Sequence, residues 1–318
     1  MRVMVFVDVE GISQIDDIRA VDWRYPELYS QAQIETTLDV NAAIRGLRAA
    51  GATEIIVADG HNARLGPDQF NVLRDRLEPN AELVRGAEWL FENAKELDAF
   101  TLIGMHCRNG TPVGFMGHTT TYFTAVKFNG EWFGEGPMLS AVAGMSGVPT
   151  ILVTGDDATA RENRAAMPWI ETAIVKTATG RTTCDCLPGD VARAEIEAAA
   201  KRSLEKLPSM KPLVVSEPVE TEVWFPSAEY ADAALNIPGA RRIGETAVAC
   251  NSDTFVDAER FFYTALLLGG SLATSRELKT LTAADPAIAE RANGNARERR
   301  EAFWAGEPWI TAELPSEA

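Results

Sequence analysis

The chain has 318 residues, of which 46% are apolar and 24% are charged, and this composition is typical of a soluble globular protein with a substantial core. Its formal net charge of −16 argues against nucleic acid or an anionic membrane surface as a partner, because both attract basic patches. No apolar run approaches the roughly 20 residues that a membrane helix needs, and the start MRVMVFVDVEG is too short for a signal peptide. We therefore expect a cytoplasmic protein.

The predicted elements of the first half alternate between strands and helices. Residues 2–8, 54–59 and 99–106 are strand-like, and residues 31–50 carry the spacing of a helix. A loop and a helix are expected between the second and third of these strands, up to about residue 95. This alternation predicts an α/β fold with a mostly parallel central sheet and flanking helices.

The middle of the chain adds a hairpin and further α/β elements. Two β-rich arms enclose Asn129-Gly130, a strong hairpin signal, and Pro137 suits the first turn of a helix that runs to about Met145. Further along, the patterns predict strands at 150–155 and 173–178 and helices at 157–166 and 190–207.

Beyond residue 208 the sequence predicts a smaller α+β domain. We expect an α/β domain over residues 1–208, a smaller domain over 209–280, and a tail over 281–318 that packs on its own domain or on a neighbouring subunit. Within the smaller domain, residues 254–268 form a predicted helix. Its candidate N-caps are Asn251, Ser252 and Asp253. The apolar residues of the tail are Phe303, Trp304, Trp309 and Ile310.

The four cysteines do not form the framework of a disulfide-rich fold at this length, which indicates a reducing compartment. Cys184 and Cys186 are the one close pair. A structural zinc normally takes two such pairs, so a reduced structural role is the favoured interpretation and metal binding the minor alternative.

All three histidines lie before residue 120, each beside a segment that reads as a strand. His61 follows VADG, His106 ends TLIGMH, and His118 ends GFMGH. A lone histidine at a strand end is more often a packed or surface residue than a ligand. The coincidence of all three with carboxylates at corresponding places raises the odds of a metal site.

Those carboxylates are Asp8, Glu10 and Glu135. Asp8 and Glu10 are two residues apart, so they would share one face if the first strand continued. Glu135 opens the helix that follows the hairpin. Because ligands of open α/β sheets gather outside the carboxyl ends of the strands, one crevice can hold these carboxylates with His61 and His106. Imidazole and carboxylate groups are the usual ligands of zinc and related ions.

The size of this ligand set favours two metals. One catalytic zinc typically takes three protein ligands, and the set holds three carboxylates and two imidazoles. Two divalent ions with one bridging hydroxide would balance the three carboxylate charges, and paired metals are a usual clamp for hydrolytic displacement. His118 is left over, which suits a general acid/base or an oxyanion partner.

Five segments in order then resemble a known family. They are VFVDVEGIS (5–13), ADGH (58–61), IGMHCRNGTPVGFMGH (103–118), NGEWFGEGPMLSAVAG (129–144) and VPTILVTGDD (148–157). They resemble the zinc-dependent D-aminopeptidases of the DppA type, over residues 1 to about 270. The resemblance implies a di-zinc peptidase that releases N-terminal D-amino acids from short peptides and assembles as a homodecamer.

The resemblance also implies a role for each site residue. Asp8 would bridge the two metals, with Glu10 and His61 completing one site and His106 and Glu135 the other. His118 falls on the catalytic histidine of the family.

The chain departs from the family pattern at Gly60 and Gly117, where serine is common. The stretch from His106 to His118 is one residue longer, and the tail has no counterpart. These departures bear on substrate preference and assembly.

Three other interpretations stay open. A haloacid-dehalogenase-like phosphatase would use VMVFVDVEG and the acidic GDD at 155–157, but it needs aspartate where Glu10 stands and has no use for the histidines. A metal-stabilised binding protein would have no use for His118. A metallo-amidase or an L-specific peptidase would use the same site on a different amide.

Overall fold

The computed structural model of the protein describes residues 1–61 and 69–305, except the side chains of Phe303 and Trp304. Trp309 and Ile310 of the predicted tail lie outside the described residues. None of the described helices is long and apolar enough to cross a membrane. The elements are β1 (Arg2–Val7), α1 (Pro26–Ala49), β2 (Glu54–Asp59), β3 (Ala81–Arg85), α2 (Glu88–Asn93), β4 (Ala99–Met105), β5 (Ala125–Phe128), β6 (Glu131–Phe133), α3 (Glu135–Met145), β7 (Thr150–Asp156), α4 (Asp157–Ala166), β8 (Glu171–Ala178), β9 (Cys184–Cys186), α5 (Gly189–Glu205), β10 (Val219–Trp224), α6 (Ala228–Ala234), β11 (Arg241–Gly244), β12 (Ala247–Ser252), α7 (Phe255–Ala284) and α8 (Pro286–Ala305).

A seven-stranded sheet in the order β3-β2-β1-β4-β7-β8-β9 forms the centre of the fold. Every neighbouring pair is parallel except β8 and β9. Strand β1 is apolar on both faces because elements cover both: Val3 and Val5 enter the core with α1 and α5, and Met4 and Phe6 enter the core with α3. The predicted fold class is confirmed.

The second sheet is antiparallel, in the order β11-β12-β10-β5-β6. Its strands come from both sides of residue 208, because the hairpin β5–β6 pairs with β10 through Val126 and Val223. Phe128 of this sheet and Phe262 of α7 belong to the same apolar core as Met4 of the central sheet. The division of the chain into domains at residue 208 stays a prediction.

The hairpin is where the sequence placed it. Asn129 and Gly130 connect β5 to β6 with φ of 51° and 83°. Both angles are in the left-handed region that two-residue hairpins of this kind require.

Several boundaries differ from the predictions. Strand β3 falls in the stretch expected to be loop and helix, because only Leu83 of its five residues is buried and no apolar run marks it. Helix α7 is capped by Thr254, whose side chain accepts a hydrogen bond from the Asp257 amide, so the candidate caps Asn251, Ser252 and Asp253 were wrong. The helix also continues through Gly269-Gly270 to Ala284. Gly269 packs under Tyr230, where a Cβ would lie 3.1 Å from the ring.

Candidate metal centre

Three of the predicted site residues lie at one edge of the central sheet. Asp8 directly follows β1, His106 directly follows β4, and His61 lies two residues beyond the end of β2. These strands are adjacent in the order β2-β1-β4 and parallel. Their carboxyl ends therefore place the three side chains together, as expected for a ligand site of an open α/β sheet.

A tight turn brings Glu10 to the same edge. Strand β1 ends at Val7 instead of continuing to Glu10, and the Ile12 amide bonds the Val9 carbonyl at 3.1 Å. Gly11 lies against β4, where a Cβ would be 1.9 Å from the Met105 carbonyl oxygen. Only glycine allows this approach, so Gly11 fixes where Glu10 points.

His118 and Glu135 reach the site from outside the sheet. Residues 114–118, read as strand-like, form no strand, and His118 lies in the loop between β4 and β5. Its amide bonds the Cys107 carbonyl at 3.1 Å, which holds this loop beside His106. Glu135 is the first residue of α3, and its Oε1 accepts the Thr120 amide at 2.6 Å.

The five predicted ligands form one cluster. His61 Nδ1 lies 3.0 Å from Asp8 Oδ1 and 3.1 Å from Glu10 Oε2. His106 Nε2 lies 3.3 Å from both Asp8 Oδ2 and Glu135 Oε1. The two oxygens of Asp8 thus face different histidines. His118 lies at the rim, with Nε2 3.8 Å from Glu135 Oε1.

Each histidine also uses its second ring nitrogen in a hydrogen bond to a backbone carbonyl. The pairs are His61 Nε2 with Val21 at 3.1 Å, His106 Nδ1 with Cys107 at 2.9 Å, and His118 Nδ1 with Met116 at 2.8 Å. A neutral imidazole that donates one N–H keeps a lone pair on its other nitrogen. That lone pair faces carboxylate oxygens, which are acceptors too, so a cation is needed between them. Metal-binding histidines commonly have this backbone partner.

Two atoms of the cluster are buried without a hydrogen-bond partner among the described residues, Glu10 Oε2 and His106 Nε2. Ligand atoms of two overlapping groups lie within 4.8 Å of one another: Asp8, Glu10 and His106 in one, and His106, His118 and Glu135 in the other. Nitrogen and oxygen donors at these separations fit zinc and related divalent ions.

The charges of the cluster indicate that metal ions would replace protons on the histidines. Burial favours the neutral form of Glu10, yet His61 beside it lowers the pKa of Glu10 well below the usual value. Burial likewise favours neutral histidines, but Glu10 and Glu135 hold the pKa values of His61 and His106 well above the usual value. Without metal, imidazolium protons balance the carboxylates.

Lys176 supports the turn that carries the ligands, and the sequence patterns did not single it out. It is buried in β8 and donates to the carbonyl of Glu10 at 3.0 Å and of Ile15 at 2.5 Å. Burial lowers the pKa of Lys176. A lysine inside the apolar run AIVKTA was the available signal, since lysine is rarely buried without partners.

The acidic GDD segment does not join the cluster. Asp156 caps α4 through the Thr159 amide at 2.7 Å and also accepts the Phe115 amide at 2.8 Å. Asp157 accepts the Ala178 amide at 2.9 Å. These carboxylates are committed to backbone groups, which weakens the phosphatase interpretation.

The cysteine pair is separate from the cluster as well. Cys184 and Cys186 lie on β9 with Sγ atoms 3.9 Å apart, and all four cysteines are free.

The two departures from the family pattern, Gly60 and Gly117, have local reasons. A Cβ at Gly60 would be 2.0 Å from the Phe6 ring, and one at Gly117 would be 2.7 Å from Cys107 Sγ.

A parallel α/β sheet with histidines and carboxylates converging at its carboxyl edge defines a metal-binding α/β protein. Peptidase family M55, described as D-aminopeptidase, matches residues 1–264. The chain belongs to this family, which confirms the family expected from the sequence and its class, an aminopeptidase.

Two comparisons with known proteins align nearly the full length of the known protein with this chain. A D-aminopeptidase of Bacillus subtilis strain 168 is 29% identical over 280 residues, covering 86% of this chain and 98% of the relative. The solved structure of the Zn-dependent D-aminopeptidase DppA from Bacillus subtilis, described as a self-compartmentalizing protease, has a TM-score of 0.78 and 26% identity. The structural match covers 85% of this chain and 98% of the DppA chain.

Proposed function

We propose that the protein is a di-zinc aminopeptidase that hydrolyses the N-terminal amide bond of short peptides beginning with a D-amino acid. One observation carries this proposal: the buried Asp8 carboxylate turns one oxygen to His61 and the other to His106. The family and the zinc dependence of the solved relative support the metal and the class of substrate.

The ligands divide into two sets around Asp8. Glu10 and His61 would hold one ion with Asp8, since His61 Nδ1 lies between Asp8 Oδ1 at 3.0 Å and Glu10 Oε2 at 3.1 Å. His106 and Glu135 would hold the other, on the side of Asp8 Oδ2. Three carboxylates carry three negative charges, which one divalent ion leaves uncompensated and two ions balance together with a bound anion.

When bound, the two ions would supply Lewis acidity that activates a water molecule and polarises the scissile carbonyl. The chain supplies the proton transfer. His118 has its Nδ1 tied to the Met116 carbonyl, which leaves Nε2 as the exchangeable position, and its side chain is 26% exposed. From this rim it can give a proton to the leaving amine as general acid.

The chain itself positions these groups. Lys176 and Gly11 hold the turn of Glu10 against the sheet, and the Thr120 amide fixes the Glu135 carboxylate. Catalysis gains from such preorganised groups because they need no reordering during the reaction.

The proposal includes assembly. The solved relative is described as self-compartmentalizing. We propose that this chain forms a closed homo-oligomer and, more specifically, a homodecamer. The cytoplasmic location stays a prediction.

Hydrolysis of matched D- and L-alanyl p-nitroanilides by the zinc-loaded protein tests the activity. We expect kcat/KM for the D substrate to exceed that for the L substrate at least about tenfold, a difference of about 1.4 kcal/mol in transition-state binding. The protein stripped of metal is the control and should cleave neither. Preference for the L substrate would replace the D-aminopeptidase proposal with the L-specific alternative.

A further inference from the structure

A groove of about 510 Å³ lies at the segment that directly follows His106, since Arg108 and Asn109 are part of its lining. Its lining includes Arg108, Arg181, Tyr122, Trp132 and Trp224. Its volume is in the range of small-molecule sites, about 300–1,000 Å³, which suits a short peptide.

The groove is joined to the loop that carries His118. The Asn109 amide donates to Thr119 Oγ1 at 3.1 Å, and Asn109 Nδ2 donates to the Thr124 carbonyl at 3.0 Å. From the other wall, the Arg181 carbonyl accepts the amide of Met116 at 2.8 Å. Met116 is the residue whose own carbonyl binds the ring of His118. The groove and the metal centre therefore share the loop that runs from His106 to His118, and a substrate held at the cluster can extend along this loop.

The charge of the groove is opposite to that of the chain. The formal net charge is −16, yet the described lining holds two guanidinium groups and no carboxylate. The side chain of Arg181 is exposed and makes no ion pair or hydrogen bond within the described part of the chain. Arg108 donates to the Asn109 carbonyl at 2.9 Å and lies 5.2 Å over the Trp132 ring. Among the described residues no carboxylate pairs with Arg181, so its guanidinium group is available to an anionic ligand.

Aromatic side chains line the rest of the groove. Tyr122 is 80% exposed, and the rings of Trp132 and Trp224 lie 5.9 Å apart. Exposed aromatic groups grouped in a concave site commonly mark ligand contact. Lys127 Nζ lies 4.8 Å over the Trp132 ring and 5.9 Å over the Trp224 ring, so Tyr122 offers the most open surface to the apolar side chain of a peptide residue.

We propose that this groove binds the portion of the peptide beyond the scissile bond, and that Arg181, with Arg108, binds its terminal carboxylate. Guanidinium is suited to this role because its planar N–H groups match both carboxylate oxygens. The inference rests on the proposed peptidase function and narrows its substrates. Very short peptides with a free terminal carboxylate are preferred over C-terminally blocked ones.

The kinetic test compares one dipeptide as free acid and as C-terminal amide. In Arg181→Gln, KM for the free acid should rise at least about tenfold, because the variant loses the charge-assisted hydrogen bonds to the carboxylate. Its kcat, and KM for the amide, should stay within about twofold of wild type. Lys211→Gln, which removes an exposed cation outside the groove, is the matched control. An unchanged KM for the free acid in Arg181→Gln would overturn the proposal.

A second readout does not depend on turnover. Calorimetry of the metal-free protein with the two uncleaved dipeptides should show tighter binding of the free acid than of the amide. Arg181→Gln should abolish that difference, and equal affinities in wild type would overturn the groove assignment. If zinc-loaded wild type cleaves neither dipeptide, the peptidase proposal fails and the calorimetric comparison still decides the groove.

Discussion

The imidazole rings of His106 and His118 are stacked, with centroids 3.8 Å apart and planes 12° from parallel. The two rings have different surroundings. His106 is buried between the carboxylates of Asp8 and Glu135, whereas His118 is partly exposed at the rim. The stack thus places His106, a proposed metal ligand, against His118, which can reach a substrate. It also fixes the plane of the His118 ring.

His118→Ala should keep both metal ions and lower the turnover number about 10²–10⁴-fold, the usual loss for a general acid or base. Metal content and kcat are measured on the same preparation. Unchanged turnover would remove the catalytic role. Loss of one ion would instead make His118 a ligand.

Asp8→Ala should lose metal as well as activity, because this carboxylate faces both histidine sites. The measurement is metal content per chain after dialysis, alongside activity. Asp253→Ala is the control, since Asp253 is exposed and outside the cluster. Full retention of two ions in Asp8→Ala would refute the bridging assignment.

Most of the metal centre could be predicted because its residues follow strands. Asp8 and His106 each directly follow an apolar run of the length typical of a buried strand. Parallel strands end at a common edge of the sheet, so the two side chains are expected to meet there. The turn at Glu10 depends on the contact of Gly11 with β4, and the loop position of His118 depends on the bond of its amide to the Cys107 carbonyl. Local patterns contain neither contact. The groove joins Arg108 to Arg181 for the same reason.

Among the elements, those with little apolar signal were missed. All five residues of strand β3 pair with β2, but only Leu83 is buried, so the strand leaves little apolar pattern in the sequence. Helix α7 was predicted to end at residue 268, whereas it continues through Gly269-Gly270 to Ala284. Glycine weakens a helix, but Gly269 packs against the Tyr230 ring, where a Cβ would be 3.1 Å away.

Zinc binding should weaken as pH falls. Burial favours neutral imidazoles, but Glu10 and Glu135 raise the pKa values of His61 and His106 well above the usual value in the metal-free protein. The metal-free cluster therefore favours protonated imidazoles, and zinc must displace their protons. Calorimetry of zinc addition in two buffers of different ionisation enthalpy should report proton release at pH 7. An affinity independent of pH between 6 and 8 would contradict this.

Glu259 should make stability depend on pH. It is 4% exposed, and burial raises its pKa to about 8. Between its usual value of 4.5 and about 8, the unfolded chain ionises this group and the folded chain keeps the proton. Stability therefore falls as pH rises through this window, by up to about 1.4 kcal/mol per pH unit, and the penalty is absent below it.

Glu259→Gln should remove that slope. Urea unfolding of both proteins at pH 5.5 and 7.5 measures it, and the variant should gain about 2 kcal/mol over wild type between the two pH values. Other titrating groups cancel in the comparison. A difference between variant and wild type that is equal at both pH values would show that Glu259 is ionised in the folded protein.

The metal content of the chain, measured by elemental analysis on protein purified without chelator or metal-affinity tag, tests the central claim most directly. The five ligands, Asp8 and the four residues around it, predict about two zinc or similar transition-metal ions per chain. Magnesium alone, or no bound ion even after zinc is added back, would contradict the two-metal site and the hydrolytic mechanism built on it.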